Sequence, residues 1–568
     1  MTAFRRPRGA VPRLPALTLL VMLGPVAAGL FGTLAPALGV MPAIGRVEPT
    51  LAPFGDLASW PGFGAAMRLS LVTGLAATAA SLAVVVMVAA CWQGTRAFRA
   101  MERLLSPLLS VPHAAAAFGI AFLIAPSGWI ARLVSPWATG WERPPDILIV
   151  QDPNGLALIA GLVAKEVPFL MLMTIAALGQ VEARRSMAVA RGLGYARHTA
   201  WLKTVFPRVY AQIRLPVYVV LAYSMSVVDV AVILGPNTPP TLSVQIVRWM
   251  GDPDLAMRLR AAAGAVVQLG LVAAALAAWR GAEALVAMWG RHWIRKGGRG
   301  GGEGLLRAAA LAAGGVSAAA VILGLAGLAA WSVAGFWAFP DALPDGFTLR
   351  NWMRHGPGLG APATETAIIA AAATAIALVL TIGCLEAEHR FGLRLSSRGL
   401  WLLYLPLLIP QVAFLPGLQI LMLSFGVTSG TMAVILGHVV FVLPYVFLSL
   451  GDPFRAWDTR YATVAHALGA GPDRVLWTLR LPMLLAPVLT AAAVGIAVSV
   501  GQYLPTLLIG GGRVQTLTTE AVALAAGGDR RAIGIYGLAQ TAAALLPFAV
   551  ALAVPRLVWR NKAALAHG

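Results

Sequence analysis

Two stretches of this chain share one frame, VARGLGYARHTAWLKTVFP at residues 189–207 and VAHALGAGPDRVLWTLRLP at residues 464–482. In both, a Val-Ala pair precedes a Leu-Gly pair, and twelve residues separate that glycine from a closing proline. Glycine readily adopts positive φ and can close a sharp turn, and proline is tolerated in the first turn of a helix. Each stretch therefore predicts a helix, a glycine turn, a second helix and a proline just before the next apolar segment.

Both stretches interrupt a strongly apolar chain. Of the 568 residues, 59% are hydrophobic and only 12% are charged, and the mean hydropathy is +0.78. Soluble domains carry about twice this share of charged residues. The composition therefore indicates an integral membrane protein. We attribute the net charge of +20 to loops at the cytoplasmic membrane surface, where Lys and Arg collect, and not to binding of nucleic acid.

The apolar runs are long enough to cross a bilayer, since a helical span needs roughly 20 apolar residues. We predict an all-α membrane protein with twelve spans, numbered one to twelve in chain order. Their predicted ranges are 13–34, 63–92, 104–126, 155–179, 209–234, 262–288, 305–337, 363–385, 399–425, 429–450, 483–509 and 533–555.

Basic residues concentrate in the loops on one side of these spans, which places that side in the cytoplasm. Both ends of the chain fall on the basic side, with Arg5, Arg6 and Arg8 at the start and Arg560 and Lys562 at the end. A basic start followed by an apolar run is also typical of a cleaved signal peptide. An even number of spans with a basic C-terminal tail favours retention of span one, so we expect both termini to be cytoplasmic.

The chain consists of two copies of one six-span unit. Residues 189–242 match residues 464–517 without a gap. Upstream, VPHAAAAFG at 111–119 matches IPQVAFLPG at 409–417. Because both copies begin on the cytoplasmic side, the repeat is parallel, and such repeats usually enclose a shared pathway.

A glycine- and arginine-rich stretch, RKGGRGGGEG at 295–304, separates the two copies. Its composition and lack of hydrophobic periodicity predict a flexible cytoplasmic linker. We therefore predict a first domain at 1–294 and a second domain at 305–568.

The repeated stretch resembles the motif EAA-x3-G-x9-I-x-LP of binding-protein-dependent ABC importer permeases. The matching positions are Ala188, Val189, Ala190, Gly194 and Pro207 in the first half and Thr463, Val464, Ala465, Gly469 and Pro482 in the second. The glutamate of the motif is replaced by Ala188 and Thr463, so any salt bridge of that glutamate is absent here. The resemblance covers essentially the whole chain and is to fused permeases of the thiamine, ferric-iron and sulfate type. It implies two tandem six-helix type I permease domains.

In that family the motif forms a coupling helix that docks into a separate ATPase. The resemblance thus implies two ATP-binding subunits on the cytoplasmic side, an external (periplasmic) solute-binding protein and a location in the bacterial inner membrane. The sequence contains no Gly-Lys pair, and so it lacks the phosphate-cradling loop G-x4-G-K-[ST]. We expect no catalytic residue, metal or cofactor in this chain, with ATP and Mg²⁺ used by the partner ATPase. We name residues 181–208 the first foot and residues 451–482 the second foot.

Three ionisable residues lie deep in predicted spans, namely Lys165 and Glu166 in span four and Asp229 in span five. A charge at the bilayer centre costs roughly 2.5–3.5 kcal/mol on insertion scales. Adjacent residues of a helix do not face each other, so at least one of Lys165 and Glu166 needs a partner elsewhere, and Asp229 is a candidate for Lys165. These residues either form a structural ion pair or line the substrate pathway.

Uncharged polar residues of neighbouring spans are further candidates for the pathway. They are Ser226, Gln411, His438, Ser499, Gln502 and Tyr503. Any one such residue is more often a hydrogen-bonding partner between helices than a ligand, and it is their clustering that indicates a central site. Asp229 and Glu166 suit a cationic solute such as thiamine, whereas Lys165 suits an anion, so the solute stays open.

The alternative function is an ion-gradient-driven secondary transporter with 6+6 spans, because intramembrane carboxylates suit proton coupling. The doubled foot favours the ABC importer. The segment 235–255 is too rich in proline and charge to span a membrane. It predicts an external loop with a short helix, where a binding protein would dock.

Overall fold

The computed structural model describes residues 11–392, 397–427 and 430–559. In the first half, the main helices at the six predicted spans are Leu14–Ala37, Phe63–Trp92, His113–Ile124, Leu156–Gln180, Phe206–Ser226 and Met257–Arg295. Shorter helices on the same half are Ala52–Ala58, Arg96–Ser110, Trp129–Val134, Asp229–Leu234 and Leu242–Met250. The first foot consists of the helices Ala183–Gly192 and Arg197–Thr204.

The second half repeats this order. Its main helices are Glu303–Val333, Gly360–Phe391, Gln411–Ser424, Thr431–Ala456, Leu485–Val500 and Arg530–Val558. Shorter helices are Arg350–His355, Ser397–Leu408, Leu504–Gly510 and Leu517–Leu524, and the second foot contains Arg460–Ala467, Pro472–Val475 and a π-helical turn at Leu476–Arg480. The short helix predicted within 235–255 is present at Leu242–Met250, and its counterpart begins at the matching residue, Leu517.

The described residues include nine helices that are long and apolar enough to cross a membrane, or up to eleven when each of two bent helix pairs counts as one span. The bends are 83° in span nine and 77° at the start of span eleven. Span five is the remaining predicted span. Its helix carries Gln212 and Arg214 among the apolar residues and ends at Ser226, earlier than the predicted 234. With span five included, the chain has the predicted all-α plan of twelve spans.

Span three also departs from its predicted range of 104–126. Its first residues belong to a separate helix, Arg96–Ser110, and the apolar helix begins only at His113. The cause is Pro112, because a residue that precedes proline is disfavoured in the α conformation, and Val111 is extended with ψ 124°. Pro410 separates two helices at the matching place in span nine.

The first span of each half packs against the third span of the other half. Span one packs along the helix Gln411–Ser424, and span seven packs along the helix His113–Ile124. A side chain on Gly417 would overlap the backbone of Gly29, and one on Gly119 would overlap Gly324. Close backbone contact of this kind between small residues drives helix association in lipid. The reciprocal exchange of first spans fixes the two halves around a common centre.

The linker lies against the first foot and is not a free tether. The Arg299 carbonyl accepts a hydrogen bond from the Ala196 amide at 2.9 Å, and the Gly298 carbonyl accepts one from Lys203 Nζ at 2.8 Å. Gly300, at φ +74°, passes so close to Thr199 that a Cβ would overlap the hydroxyl. The predicted flexibility of 295–304 is therefore wrong for the part that contacts this foot, because its peptide groups find hydrogen-bonding partners there.

Candidate functional site

The two feet turn at glycine with the same geometry. Gly194 has φ +83° and Gly469 has φ +84°. In each foot the amide after the glycine donates to a carbonyl five residues earlier, from Tyr195 to Ala190 at 3.2 Å and from Ala470 to Ala465 at 2.9 Å. This is the Schellman arrangement, in which glycine at positive φ ends a helix. The sharp bend predicted at both glycines is confirmed.

The motif residues before each glycine divide into a buried and an exposed set. Ala190 and Ala465 are buried, at 5% and 8% exposure. The preceding valines, Val189 and Val464, are both 61% exposed. The residues just before the glycines, Leu193 and Leu468, are also exposed. In each foot the alanine is therefore buried, whereas the valine and the leucine are exposed on the surface.

The second foot is tied to span eight by buried charges. Arg480 Nη1 lies 2.5 Å from Glu386 Oε2, with only 2% and 5% of the two side chains exposed. Arg390 bridges Glu386 at 2.7 Å and Asp473, at the start of the short foot helix, also at 2.7 Å. The Arg480 guanidinium also lies 4.3 Å from the ring centre of Trp457. A movement of this foot must therefore move span eight or break a buried ion pair.

The first foot uses uncharged acceptors at the matching place. Trp201 Nε1 donates to Gln93 Oε1 at 2.8 Å, and the Arg197 guanidinium donates to the Gln93 carbonyl. Gln93 and Glu386 each follow the cysteine of their half by two residues. This shared spacing from Cys91 and Cys384 is the signal in the sequence for these two anchors, and the foot motif does not include it.

The segment after the break in span five and the segment after the break in span eleven each pack on two spans of their own half. The helix Asp229–Leu234 packs on His113–Ile124 and on Leu156–Gln180. In the second half, Leu504–Gly510 packs on Gln411–Ser424 and on Thr431–Ala456. Interrupted helices are tolerated at membrane depth where protein or a water-filled cavity satisfies the freed backbone. Asp229, beside the break in span five, lies within electrostatic range of Tyr503, beside the break in span eleven. We call the surroundings of these two residues the central region.

Lys165 does not pair with Asp229. Its Nζ donates to the Leu108 carbonyl at 3.0 Å and to the Val111 carbonyl at 2.6 Å. Both carbonyls belong to the C-terminal end of the helix Arg96–Ser110, where the helix dipole favours a cation. The prediction of a Lys165–Asp229 pair is wrong, because the break at Pro112 supplies backbone acceptors that the side-chain pattern does not reveal.

Tyrosine side chains lie near the two buried carboxylates. Asp229 lies within electrostatic range of Tyr223 and Tyr503. Glu166 lies within range of Tyr223 and of Tyr445, which comes from the opposite half. Tyr223 and Tyr445 were not among the predicted site residues. In the sequence these tyrosines do not differ from other residues of a membrane span. Only the packing of the two halves brings them close to Asp229 and Glu166.

The predicted uncharged pathway residues divide into two groups. His438 is 1% exposed and its ring nitrogens bond Ser499 at 2.8 Å and Thr506 at 2.9 Å. Ser226 Oγ donates within its own helix to the Ala222 carbonyl at 2.6 Å. These three of the predicted residues are engaged in hydrogen bonds within or between helices.

Gln411, Gln502 and Tyr503 form the second group of these residues. Gln411 Nε2 lies 3.5 Å from Gln502 Oε1, across the breaks of spans nine and eleven. All three side chains are partly exposed. Of these, Tyr503 lies within electrostatic range of Asp229, whereas His438, Ser499 and Ser226 use their polar groups in the hydrogen bonds described above.

Comparison with known proteins agrees with this architecture. The family of the binding-protein-dependent transport system inner membrane component matches residues 379–558. The inner membrane ABC transporter permease protein YnjC of Escherichia coli is 30% identical over 551 residues, which is 95% of this chain and 97% of YnjC. The chain belongs to the ABC transporter permeases.

Other permeases of this family match a smaller part of the chain. The molybdenum transport system permease protein ModB of Mycobacterium bovis is 30% identical over 183 residues, 29% of this chain and 68% of ModB. The spermidine/putrescine transport system permease protein PotC of Haemophilus influenzae is 25% identical over 175 residues, 31% of this chain and 64% of PotC. The match with YnjC covers nearly the whole of both chains, whereas the matches with ModB and PotC cover less than a third of this chain. These lengths fit a fused, two-copy permease of an ABC importer in the inner membrane. The alternative of an ion-gradient-driven transporter is not supported by these relatives.

Proposed function

We propose that the two feet of this permease dock two separate ATP-binding subunits and transmit their motion to the spans. The observation that carries this proposal is the matched pair of exposed apolar residues, Val189 with Leu193 and Val464 with Leu468. Exposed apolar groups rimmed by polar residues mark interaction sites. Their recurrence at the same step of both repeats fits two copies of one kind of partner.

Hydrolysis belongs to those partners in this proposal. Without a Gly-Lys pair, the chain has no phosphate-cradling loop of its own. ATP and Mg²⁺ therefore bind the ATPase subunits, and the permease contributes no catalytic residue. Purified chain alone is expected to hydrolyse no ATP, and hydrolysis that persists after every ATPase partner is removed would contradict the proposal.

The opposite face receives the solute from an external binding protein. The helices Leu242–Met250 and Leu517–Leu524 lie at equivalent positions, and together they suit a two-lobed partner. This arrangement puts the feet and both termini in the cytoplasm. The basic residues at the two ends, Arg5, Arg6, Arg8, Arg560 and Lys562, lie outside the described residues, so the orientation rests on the inner loops.

The central region forms the translocation pathway in this proposal. Asp229 and Tyr503, with Gln411 and Gln502, present polar groups where the broken spans meet. A cationic solute fits this region because the Asp229 carboxylate lies there, whereas the Lys165 ammonium is directed at the Leu108 and Val111 carbonyls. The tyrosine rings can add cation–π contacts to a desolvated cation.

Replacement of the exposed leucines by aspartate tests the docking surfaces. Leu193→Asp and Leu468→Asp each put a charge where an apolar contact is expected, and the two together should abolish co-purification of the ATPase subunits from membranes. Leu349→Asp is the matched control, because Leu349 is 66% exposed but lies on the face opposite the feet. ATPase subunits that co-purify equally with the double variant and with the control would contradict the docking surface.

A further inference from the structure

A cavity of about 640 Å³ opens on the face opposite the feet. It lies between the loop that follows span three in the first half and the ends of spans seven and twelve in the second half. Its lining includes Arg132, Trp331, Trp337, Phe339, Arg530 and Arg531. Both halves therefore build its walls, and none of these residues belongs to the feet or the central region.

The three arginines are held in place by neutral acceptors. Arg132, only 5% exposed, donates from Nε to the Ser127 carbonyl at 3.1 Å and from Nη1 to the Asp341 carbonyl at 2.9 Å. Arg530 donates from Nη1 to the Ser127 carbonyl at 3.0 Å and from Nη2 to the Ser127 hydroxyl. Arg531 donates from Nε to the Ala334 carbonyl at 3.2 Å and from Nη2 to the Gly335 carbonyl. Carbonyls orient a guanidinium without cancelling its charge.

Aromatic rings form the rest of the wall. The Arg132 guanidinium lies 5.0 Å from the ring centre of Trp337, and that of Arg530 lies 5.2 Å from the ring centre of Trp331. Ring faces attract cations but supply no full negative charge. The rings also exclude water from one side of the guanidinium groups, which strengthens their attraction for an anion.

The cavity carries a surplus of positive charge. Within the part of the chain that the structure describes, none of the three arginines forms an ion pair with a carboxylate. Asp529, the acidic residue of the lining, caps the helix Arg530–Val558 through the Arg531 and Ala532 amides and faces His355 at 3.7 Å. An arginine fork matches the oxygens of a phosphate better than any other side chain does.

The position of the cavity indicates the source of a phosphate group that would bind there. Three helices long enough to span the membrane, His113–Val134, Glu303–Val333 and Arg530–Val558, end or begin at its lining. It therefore lies where these helices leave the bilayer, at the level of the lipid headgroups. Leu323 of span seven and Leu546 of span twelve are exposed apolar side chains, as expected of helix surfaces that face acyl chains.

We propose that this cavity binds the phosphate of an anionic phospholipid in the leaflet opposite the feet. The N–H groups of Arg530 and Arg531 that do not bond the protein hold the phosphate oxygens, and Arg132 supplies a buried positive charge behind them. The acyl chains follow the apolar surfaces of spans seven and twelve. Because the walls come from both halves, the bound lipid also joins the halves at the face opposite the feet. Inorganic phosphate has the same oxyanion chemistry and is the competing source.

Native mass spectrometry of the full chain in detergent tests this proposal, with added phosphatidylglycerol or phosphatidylcholine as the probes. Wild-type protein should retain at least one phosphatidylglycerol in preference to phosphatidylcholine. Arg530→Gln with Arg531→Gln should lower that preference by about tenfold or more, the size expected for lost charge-assisted hydrogen bonds. Arg354→Gln, at an exposed arginine on the same face, should leave the preference unchanged.

The ratio of the two lipids separates a lost site from a damaged fold, since misfolding lowers retention of both lipids. Arg531→Lys keeps the charge but leaves fewer N–H groups for the phosphate, and should give an intermediate preference. An unchanged ratio in the double glutamine variant would overturn the proposal. Displacement of the lipid by millimolar phosphate supports the oxyanion site. If phosphate binds the protein but the protein shows no preference between the two lipids, the lipid is not the ligand of this site. Loss of binding of the external solute-binding protein with an unchanged ratio would show instead that the arginines dock a protein.

Discussion

Arg480 and Glu386 form a buried ion pair, at 2.5 Å between Nη1 and Oε2, that joins the second foot to span eight. Breaking a buried pair by removing one partner leaves an unpaired charge in a low-dielectric site. The pair therefore couples the position of the foot to that of a span. The first foot has Trp201 and Gln93 at this place, so the two feet share a shape but not a chemistry.

Glu386→Gln should destabilise the protein by about 3–5 kcal/mol, because the buried Arg480 loses its carboxylate partner and Arg390 keeps only Asp473. Glu388→Gln is the matched control on the same helix. Its partner Arg455 is 39% exposed, so this loss should stay below about 1 kcal/mol. Thermal unfolding in detergent measures both variants, and equal shifts for the two would show that the buried pair has no special role.

Gly469→Val should uncouple ATP hydrolysis from uptake, while Gly469→Asn should stay near wild type. No atom lies within 4 Å of a Cβ built at Gly469, so the cost comes from the left-handed backbone alone, at about 1–2 kcal/mol for an L-residue. Asparagine tolerates that conformation and valine does not. Uptake and ATPase activity in vesicles with the partner subunits measure the coupling. Normal uptake by the valine variant would mean that the strained turn does not matter for function.

Gly194→Val should act likewise on the first foot. Here the Cβ would lie 3.6 Å from Arg299 Cδ, an ordinary contact, so strain of the backbone again dominates. The linker adds hydrogen bonds to this foot, and a smaller loss of coupling than for Gly469→Val is expected. A larger loss at residue 194 would show that the first foot carries more of the coupling.

Lys165→Met should impair insertion and stability, because the Leu108 and Val111 carbonyls lose their donor. An unsatisfied buried polar group costs about 1–3 kcal/mol. Asp229→Asn should not rescue this variant, since the two side chains are not partners and their effects should add to within about 0.5 kcal/mol. Membrane insertion and uptake are measured separately in the single and double variants. Recovery of insertion and uptake in the double variant would instead support a Lys165–Asp229 ion pair, which the structure contradicts.

Gly300→Ala should release the linker from the first foot, because the new Cβ overlaps the Thr199 hydroxyl and the residue sits at φ +74°. Gly301→Ala is the control, since no atom lies within 4 Å of its Cβ position. Trypsin cleavage after Lys296 and Arg299 should rise by about fivefold in the first variant, as expected for a loss near 1 kcal/mol in local stability. Equal cleavage of both variants would mean that the linker is not held by this contact.

Some breaks in the spans could be anticipated from the sequence and others could not. Pro112 and Pro410 are visible helix breakers, although the predicted ranges of spans three and nine ran through them. The break before Asp229 has no proline or glycine, and its partner in span eleven has Gly501. Such a break depends on what the neighbouring helices offer to the freed backbone groups, and a single span does not contain that information.

The local sequence pattern alone predicted the twelve apolar segments, the duplication and the glycine turns. Span length, repeat spacing and the positive φ of glycine are all properties of consecutive residues. The partners of Lys165, Glu386 and Arg480 were decided only in the tertiary structure. Lys165 bonds carbonyls more than fifty residues away, and Glu386 meets Arg480 across 94 residues. Backbone acceptors carry no signature in the sequence, and a buried charge binds whichever acceptor the packed helices bring within reach.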